Sequence, residues 1–446
     1  MKMAGAKPEV SFIGLGAMGF GMATNLIKNG YKVTGFDVWK PTLEKFQAAG
    51  GNIADTPAEA VKGTDYCICM VATAQQAQAV LIEGNDPALG ALPKGAALLL
   101  CSTVPCAYVQ GLEKQLAELG RGDIRLIDAP VSGGAARAAD GTLSIMAGGS
   151  DDAIEKGRFL LQEMSDPYKL YIVKGGIGAG SNMKMCHQVL AANQILAASE
   201  GLGFATHLGL HPHFASQEIL KSEGWAWMFE NRLPRMLDPE YKPVASALTI
   251  ILKDTGIITS EARRFGFPTP MTSTAEQVYF SALGRGYGPD DDSSLIRLYI
   301  EGKGKIGPVK GLAEDDQSKL ALVVGLLKGI YLCSAAETIA FAAKCNLDLD
   351  QVFDLCINAA GGSTMFQTVG PEIIKLARGE QLSTGDGESF KELVQQLQEA
   401  IEEAQRVKAP VYLATQAFTL AQLALQLAPE TAGNVSRAAV AKVWGL

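Results

Sequence analysis

The apolar positions of this chain follow two rhythms. Up to residue 178 they come in short bursts, at 10–13, 31–36, 66–71, 97–100, 125–128, 143–146 and 170–173. Each burst ends in glycine or small polar residues, the pattern of buried parallel strands alternating with helices. Beyond Gly175-Gly176-Ile177-Gly178-Ala179-Gly180 the spacing becomes helical. Ser181 is a plausible N-cap there, for a helix over about 182–208. The expected architecture is therefore an α/β N-terminal domain over 1–178, a doubly wound parallel sheet closed by the segments at 143–146 and 170–173. All-α domains follow over 179–305 and 312–446.

The two helical stretches are copies of one another. Glu200 matches Glu337, Phe204-Ala205 matches Phe341-Ala342, Gly224 matches Gly361, Met228-Phe229 matches Met365-Phe366 and Pro234 matches Pro371. All share one offset, 337 − 200 = 137. Further on, Ala262 pairs with Ala404 and Pro268 with Pro410, at 410 − 268 = 142, which implies a short insertion. Residues 302–308, rich in Gly, Lys and Pro, read as the linker between the copies.

Composition narrows the function. The 446 residues are 48% hydrophobic and 19% charged, in the range of a globular protein of two or three domains, and the net charge is −8. A negative surface disfavours nucleic acid and acidic membranes. The apolar run at 320–327 ends at Lys328 and is too short to span a bilayer. The start, MKMAGAKPEV, has no apolar signal core, and the eight cysteines include no CxxC pair. Both features point to a reducing, cytoplasmic setting. The four histidines show no metal-ligand spacing, so no metal is expected. Trp225-Ala226-Trp227-Met228-Phe229 reads as helix-packing surface.

The first strand runs into Gly14-Leu15-Gly16-Ala17-Met18-Gly19, and a helix and a second strand ending in Asp37 follow. That is the dinucleotide fingerprint in its full context: glycines for a tight turn, for backbone approach to a pyrophosphate and for helix–strand packing, then an acid for the ribose diol. Asp37 disfavours a 2′-phosphate, so NAD is expected over NADP, although Lys40 lies near. Val71, Thr73, Thr103 and Ser132 fall at the carboxyl ends of strands, where α/β sheets bind ligands. As single residues they read equally well as caps and turns.

Lys184, His187 and Gln188 lie at i, i+3 and i+4, on one face of a helix otherwise rich in Ala, Leu and Met. The lysine could be an acid/base or could snorkel to solvent. Four segments break this tie: GLGAMGFGMATNLIKNG at 14–30, DAPVSGGAARAADGTLSIMAGG at 128–149, GAGSNMKMCHQ at 178–188 and LKDTGI at 252–257. With them the chain resembles the β-hydroxyacid dehydrogenases, the 3-hydroxyisobutyrate and 6-phosphogluconate dehydrogenase-like family. The resemblance implies that Lys184 transfers the proton, and that Ser132, Gly133 and Gly134 hold the substrate carboxylate. It also implies that Thr103 and Lys253 lie beside the nicotinamide. Many members carry Asn where this chain has His187, and the KxxHQ variant resembles the L-threonate dehydrogenase branch. His187 and Gln188 would then orient the substrate.

The function expected is NAD-dependent oxidation of a small hydroxy acid, with no nucleic-acid or membrane partner, by a monomer or homodimer. The alternatives are a 3-hydroxyisobutyrate- or tartronate-semialdehyde-type dehydrogenase, or a non-catalytic dinucleotide-binding module. The second copy has Ala321, Val324, Gln395 and Gln396 where the first has Lys184, His187, Lys253 and Asp254. It is expected to be structural and to supply the surface a partner subunit gives in single-copy relatives.

Overall fold

The computed structural model describes residues 7–300, 315–381, 387–427 and 435–446, in two compact units, Met1–Lys184 and Met185–Leu446. The expected linker at 302–308 lies outside the described residues.

In the first unit, β1 (Val10–Ile13), α1 (Gly19–Lys28), β2 (Val33–Phe36), α2 (Lys40–Ala48), β3 (Asn52–Ile53), α3 (Pro57–Val61), β4 (Tyr66–Cys69), α4 (Ala74–Gln78), β5 (Ala97–Leu100), α5 (Cys106–Glu118) and β6 (Arg125–Asp128) form an alternating series. The sheet is parallel throughout, in the order β3-β2-β1-β4-β5-β6. This is the doubly wound order, with its reversal between β1 and β4. Successive residues of a strand enter opposite cores. Phe12, Ile68 and Leu99 pack on one face, while Ile13, Cys67, Cys69, Leu98 and Leu100 pack on the other. Both faces are therefore covered, which is why the central strands β4 and β5 carry near-continuous apolar runs.

The end of the sheet departs from the expectation. The segments at 143–146 and 170–173 do not extend it. β7 (Val131–Ser132), β8 (Leu143–Ala147) and β9 (Ser165–Ile172) form a separate three-stranded sheet, with β7 antiparallel to β8; α6 (Gly134–Asp140) and α7 (Asp151–Met164) lie between the strands in sequence. Pro130 explains the break. It has no N–H for a ladder, and the chain switches partners there, with Met146 N–H donating to the Pro130 carbonyl.

The helices then occur as two matching series. The first is α8 (Ala179–His207), α9 (Pro212–Leu220), α10 (Trp227–Met236), α11 (Leu248–Phe265), α12 (Pro270–Gly284) and the short α13 (Arg297–Ile300). The second is α14 (Asp316–Lys344), α15 (Leu349–Asn358), α16 (Thr364–Ala377), α17 (Phe390–Val407) and α18 (Tyr412–Leu427). α8 and α14 both have 29 residues. α14 is long and apolar enough to cross a membrane, but 83% of its apolar window is buried, so it serves as a core helix.

The two series meet about an approximate twofold relationship. Ala226 and Ser363 form an antiparallel bridge, and 363 − 226 = 137. Trp227 N–H donates to Gly362 O at 2.8 Å and Thr364 N–H donates to Trp225 O at 3.2 Å, again equivalent positions. A Cβ at Gly361 would stand 3.0 Å from Leu190, and one at Gly224 would stand 3.4 Å from Leu327, the residue equivalent to Leu190. The aromatic segment at 225–229 thus packs between the copies, with Phe229 fully buried.

Candidate active site

The glycine loop is shaped by what surrounds each glycine. A Cβ on Gly14, which has φ +93°, would lie 2.2 Å from the Met70 carbonyl oxygen. One on Gly19 would lie 1.9 Å from the Gly14 carbonyl oxygen. Gly16 is different: nothing stands within 4 Å of its would-be Cβ. Gly14 and Gly19 are therefore glycines for internal packing, and Gly16 leaves open space on the outer side of the loop. Ala17 is exposed and Met18 half-buried beside it, whereas the Leu15 side chain is buried and only its backbone faces the loop.

Asp37 follows β2. Its Oδ2 accepts from Leu15 N–H at 2.7 Å and its Oδ1 from Trp39 N–H at 2.8 Å. These bonds fix the carboxylate at the mouth of the glycine loop and leave lone pairs on both oxygens for hydroxyl donors. Open space over Gly16, the amino end of α1 and a fixed carboxylate beside it together fit a dinucleotide.

At the other strand ends, Val71 N–H donates to the buried Ser102 Oγ at 2.8 Å. Ser102 was not singled out from the sequence, since a serine after an apolar strand looks like any turn residue. Thr73 caps α4, its hydroxyl accepting from Gln76 N–H. Thr103 is half-buried next to Ser102. Ser132 is 9% exposed and pairs with Ser144 across β7 and β8, while Gly133 and Gly134 are exposed with positive φ.

Helix α8 begins three residues earlier than expected, at Ala179, and Ser181 is not its N-cap. Ser181 instead donates from both N–H and Oγ to the fully buried Asp128, each at 2.7 Å. Burial pushes the Asp128 carboxyl up to about 6, against the opposing pull of those hydrogen bonds. Asp128 thus ties the end of β6 to the turn of α8 that carries Lys184. The sequence signal for it was an acid directly after the apolar pair Leu126-Ile127.

Lys184 is 5% exposed, His187 0% and Gln188 8%. The lysine does not snorkel to solvent. In the second unit, His187 Nδ1 lies 3.0 Å from Gln188 Oε1, Gln188 Nε2 donates to Asp254 Oδ2 at 2.6 Å, and Lys253 Nζ lies 3.2 Å from Asp254 Oδ1. The carboxylate decides the amide's orientation: Nε2 must face Asp254, so Oε1 faces His187 and Nδ1 carries the proton. In the neutral imidazole this makes Nε2 the accepting nitrogen. Lys253 and Asp254 of α11 are thereby linked with His187 and Gln188 of α8. Among the described residues no group of three His, Cys, Asp or Glu side chains is arranged to hold a metal ion.

Two family models match in tandem. The NAD-binding domain of 6-phosphogluconate dehydrogenase covers residues 9–175, and the NAD-binding domain of NADP-dependent 3-hydroxyisobutyrate dehydrogenase covers 178–299. An L-threonate dehydrogenase from Cupriavidus necator is 38% identical over 67% of this chain and 98% of its own length. The chain belongs to the 3-hydroxyisobutyrate dehydrogenase-like family. It is an oxidoreductase of the NAD-dependent hydroxyacid dehydrogenase type, with a nicotinamide dinucleotide as cofactor.

Among solved structures, a 3-hydroxyisobutyrate dehydrogenase from Salmonella typhimurium matches with TM-score 0.60 and 32% identity, over 66% of this chain and all of that one. A 6-phosphogluconate dehydrogenase from Plasmodium falciparum matches with TM-score 0.61 over 95% of this chain and 93% of that one, at 14% identity. That likeness is one of fold, and it runs on through the second series of helices.

Proposed function

We propose that this protein oxidises L-threonate, or a closely similar four-carbon sugar acid, with NAD and with Lys184 as general acid/base. The observation that carries the proposal is a buried polar face, Lys184, His187 and Gln188, on the first turns of a helix rich in Ala, Leu and Met. A lysine held out of solvent on the first turns of a helix suits proton transfer and not solubility. The KxxHQ pattern supports the sugar-acid substrate, as does the likeness to a protein named L-threonate dehydrogenase.

When bound, the dinucleotide supplies the hydride acceptor. The remaining work falls to the protein. The Lys184 amine takes the proton of the substrate hydroxyl during oxidation and returns it in the reverse direction. His187, held in one tautomer by Gln188 and Asp254, presents Nε2 to a substrate hydroxyl. Ser132 and the exposed amides of Gly133 and Gly134 receive the carboxylate, as backbone donors with no side chain in the way. Gly14 to Gly19, Asp37, Val71, Thr73, Thr103 and Lys253 line the cofactor. The second helical series stands in for a partner subunit, so the active form is a monomer or a dimer of such chains. Eight cysteines with no CxxC pair, seven of them buried, support a cytoplasmic setting.

The test is NADH formation over a panel of L-threonate, D-erythronate, D-glycerate, 3-hydroxyisobutyrate and 6-phosphogluconate, with NADP in parallel. The highest kcat/KM is expected with L-threonate or D-erythronate and NAD. A clear preference for 3-hydroxyisobutyrate would overturn the substrate assignment, and no turnover of any acid would favour a binding module.

A further inference from the structure

We propose that Asp128 and Ser181 are positioning residues that fix the spacing between the seat of the substrate carboxylate and the Lys184 amine. The inference rests on the functional reading above, and every residue it uses lies in the first unit. Two segments with assigned roles start from this pair. Asp128 ends β6, and Ala129-Pro130-Val131 lead directly from it to Ser132. Ser181 lies in the first turn of α8, and Lys184 follows three residues on, close to one helical turn.

The pair is joined twice. Asp128 Oδ2 accepts from Ser181 N–H and Oδ1 from Ser181 Oγ, each at 2.7 Å. Two bonds between the same two residues fix orientation as well as distance. The backbone holds the same junction. Asp128 N–H donates to Gly148 O at 2.9 Å, and Gly148 N–H donates back to Asp128 O at 2.8 Å. A Cβ on Gly180 would stand 2.5 Å from Asp128 O and 2.3 Å from Met146 O, and one on Gly148 would stand 2.8 Å from Gly180 N. The end of β6, the end of β8 and the start of α8 thus approach so closely that no side chain fits between them.

Apolar packing could hold a helix against a sheet, but it has no direction. A fully buried carboxylate supplies direction, and it is tolerated there because both of its oxygens are hydrogen-bonded. Direction is what the chemistry needs. The substrate must place its carboxylate at the Ser132 loop and its hydroxyl at the Lys184 amine at the same time. A misplacement of about 1 Å between such groups can cost on the order of 10²-fold in rate.

The full chain is tested as Ser181→Ala, Asp128→Ala and Asp128→Asn. The kcat with the preferred acid is counted per NADH-binding site, from fluorescence titration, and melting curves are recorded. Ser181→Ala should lower kcat per site about tenfold and Asp128→Ala about a hundredfold, with NADH affinity within about twofold of native. If Asp128→Ala does not fold, Ser181→Ala carries the test. Asp128→Asn can keep both bonds, its oxygen accepting from the Ser181 N–H and its amide donating to the Ser181 hydroxyl, and should run within about threefold of native. A role in folding alone would lower the number of NADH sites and leave the rate at each site native. That result would overturn the proposal, and so would an Asp128→Asn variant as slow as Asp128→Ala, which would assign the effect to charge. Lys184→Ala separates the two levels. If it works at the native rate, the reading of the site falls and this inference with it. If it is inactive while Ser181→Ala is native, only the spacing argument falls.

Discussion

Glu200 and Glu337 do the same job in opposite directions. Glu200, on α8, accepts from Leu413 and Ala414 N–H at 3.1 and 2.8 Å, at the start of α18. Glu337, on α14, accepts from Met271 and Thr272 N–H at 2.8 and 3.0 Å, at the start of α12. The acids are 137 residues apart and the helix starts 142 apart (413 − 271), the same offsets that align the two series in sequence. Each copy's central helix therefore satisfies the free amides of the other copy's last long helix, and each carboxylate sits at the positive end of a helix dipole.

These two acids give the protein a pH-dependent stability. Burial pushes both carboxyls from 4.5 up to about 7, although the amide donors, with Tyr299 at Glu200 and the Thr272 hydroxyl at Glu337, pull the other way. The folded state then holds protons that the unfolded state has released. Stability is greatest below pH 4.5 as far as these groups are concerned, and it is lost as pH rises to about 7. The loss is on the order of 3 kcal/mol per group. Glu200→Gln and Glu337→Gln should each flatten the slope of unfolding free energy between pH 5 and pH 7, roughly the window set by these shifts. An unchanged slope in the double variant would assign the pH dependence to other groups.

The glycine loop separates packing from binding. Gly19→Ala forces a Cβ into the Gly14 carbonyl and should unfold or strongly destabilise the first unit. Gly16→Ala meets nothing within 4 Å. It should melt within a degree or two of the native protein yet bind NAD at least about tenfold more weakly, because its methyl occupies the space assigned to the pyrophosphate. Melting curves and fluorescence titration with NADH check both halves. Native affinity in Gly16→Ala would place the phosphates elsewhere.

Asp37 should govern cofactor choice. Both of its oxygens are already fixed by backbone donors, so the negative charge cannot swing away from a 2′-phosphate. Asp37→Ala should narrow the kcat/KM ratio for NAD over NADP by about tenfold or more, since one lost charge interaction of this kind is worth roughly 1–2 kcal/mol. A ratio equal to the native one would show that the carboxylate does not read the ribose.

Gln188 is the joint between α8 and α11. Gln188→Leu removes the buried hydrogen bonds to His187 Nδ1 and Asp254 Oδ2, at a cost of about 1–3 kcal/mol for each bond lost. Urea unfolding should show that loss. The kcat should fall too, because His187 loses the bond that selects its tautomer. Full activity with lowered stability would make the linkage purely structural.

Much of this was legible in the sequence because it rests on local pattern. The doubly wound sheet follows from apolar bursts that end in small residues, and the helical duplication from a constant offset that survives around Glu200 and Met228-Phe229. What the pattern could not show was pairing. Nothing local reveals that Pro130 diverts the chain into a second sheet, or that Ser181 turns its hydroxyl to Asp128, 53 residues away, instead of capping its own helix. The link from Gln188 to Asp254 spans 66 residues and depends on side-chain direction. The Glu200 and Glu337 matches marked the repeat but gave no hint that each acid reaches into the opposite copy.

The central claim concerns the amine on the first turns of α8. Initial rates of NADH formation with L-threonate should be compared for the native protein and Lys184→Ala, with melting curves to show that the variant is folded. A fall of about 10²–10⁴ in kcat is expected, the usual contribution of a positioned acid/base. A folded Lys184→Ala variant working at the native rate would contradict the account.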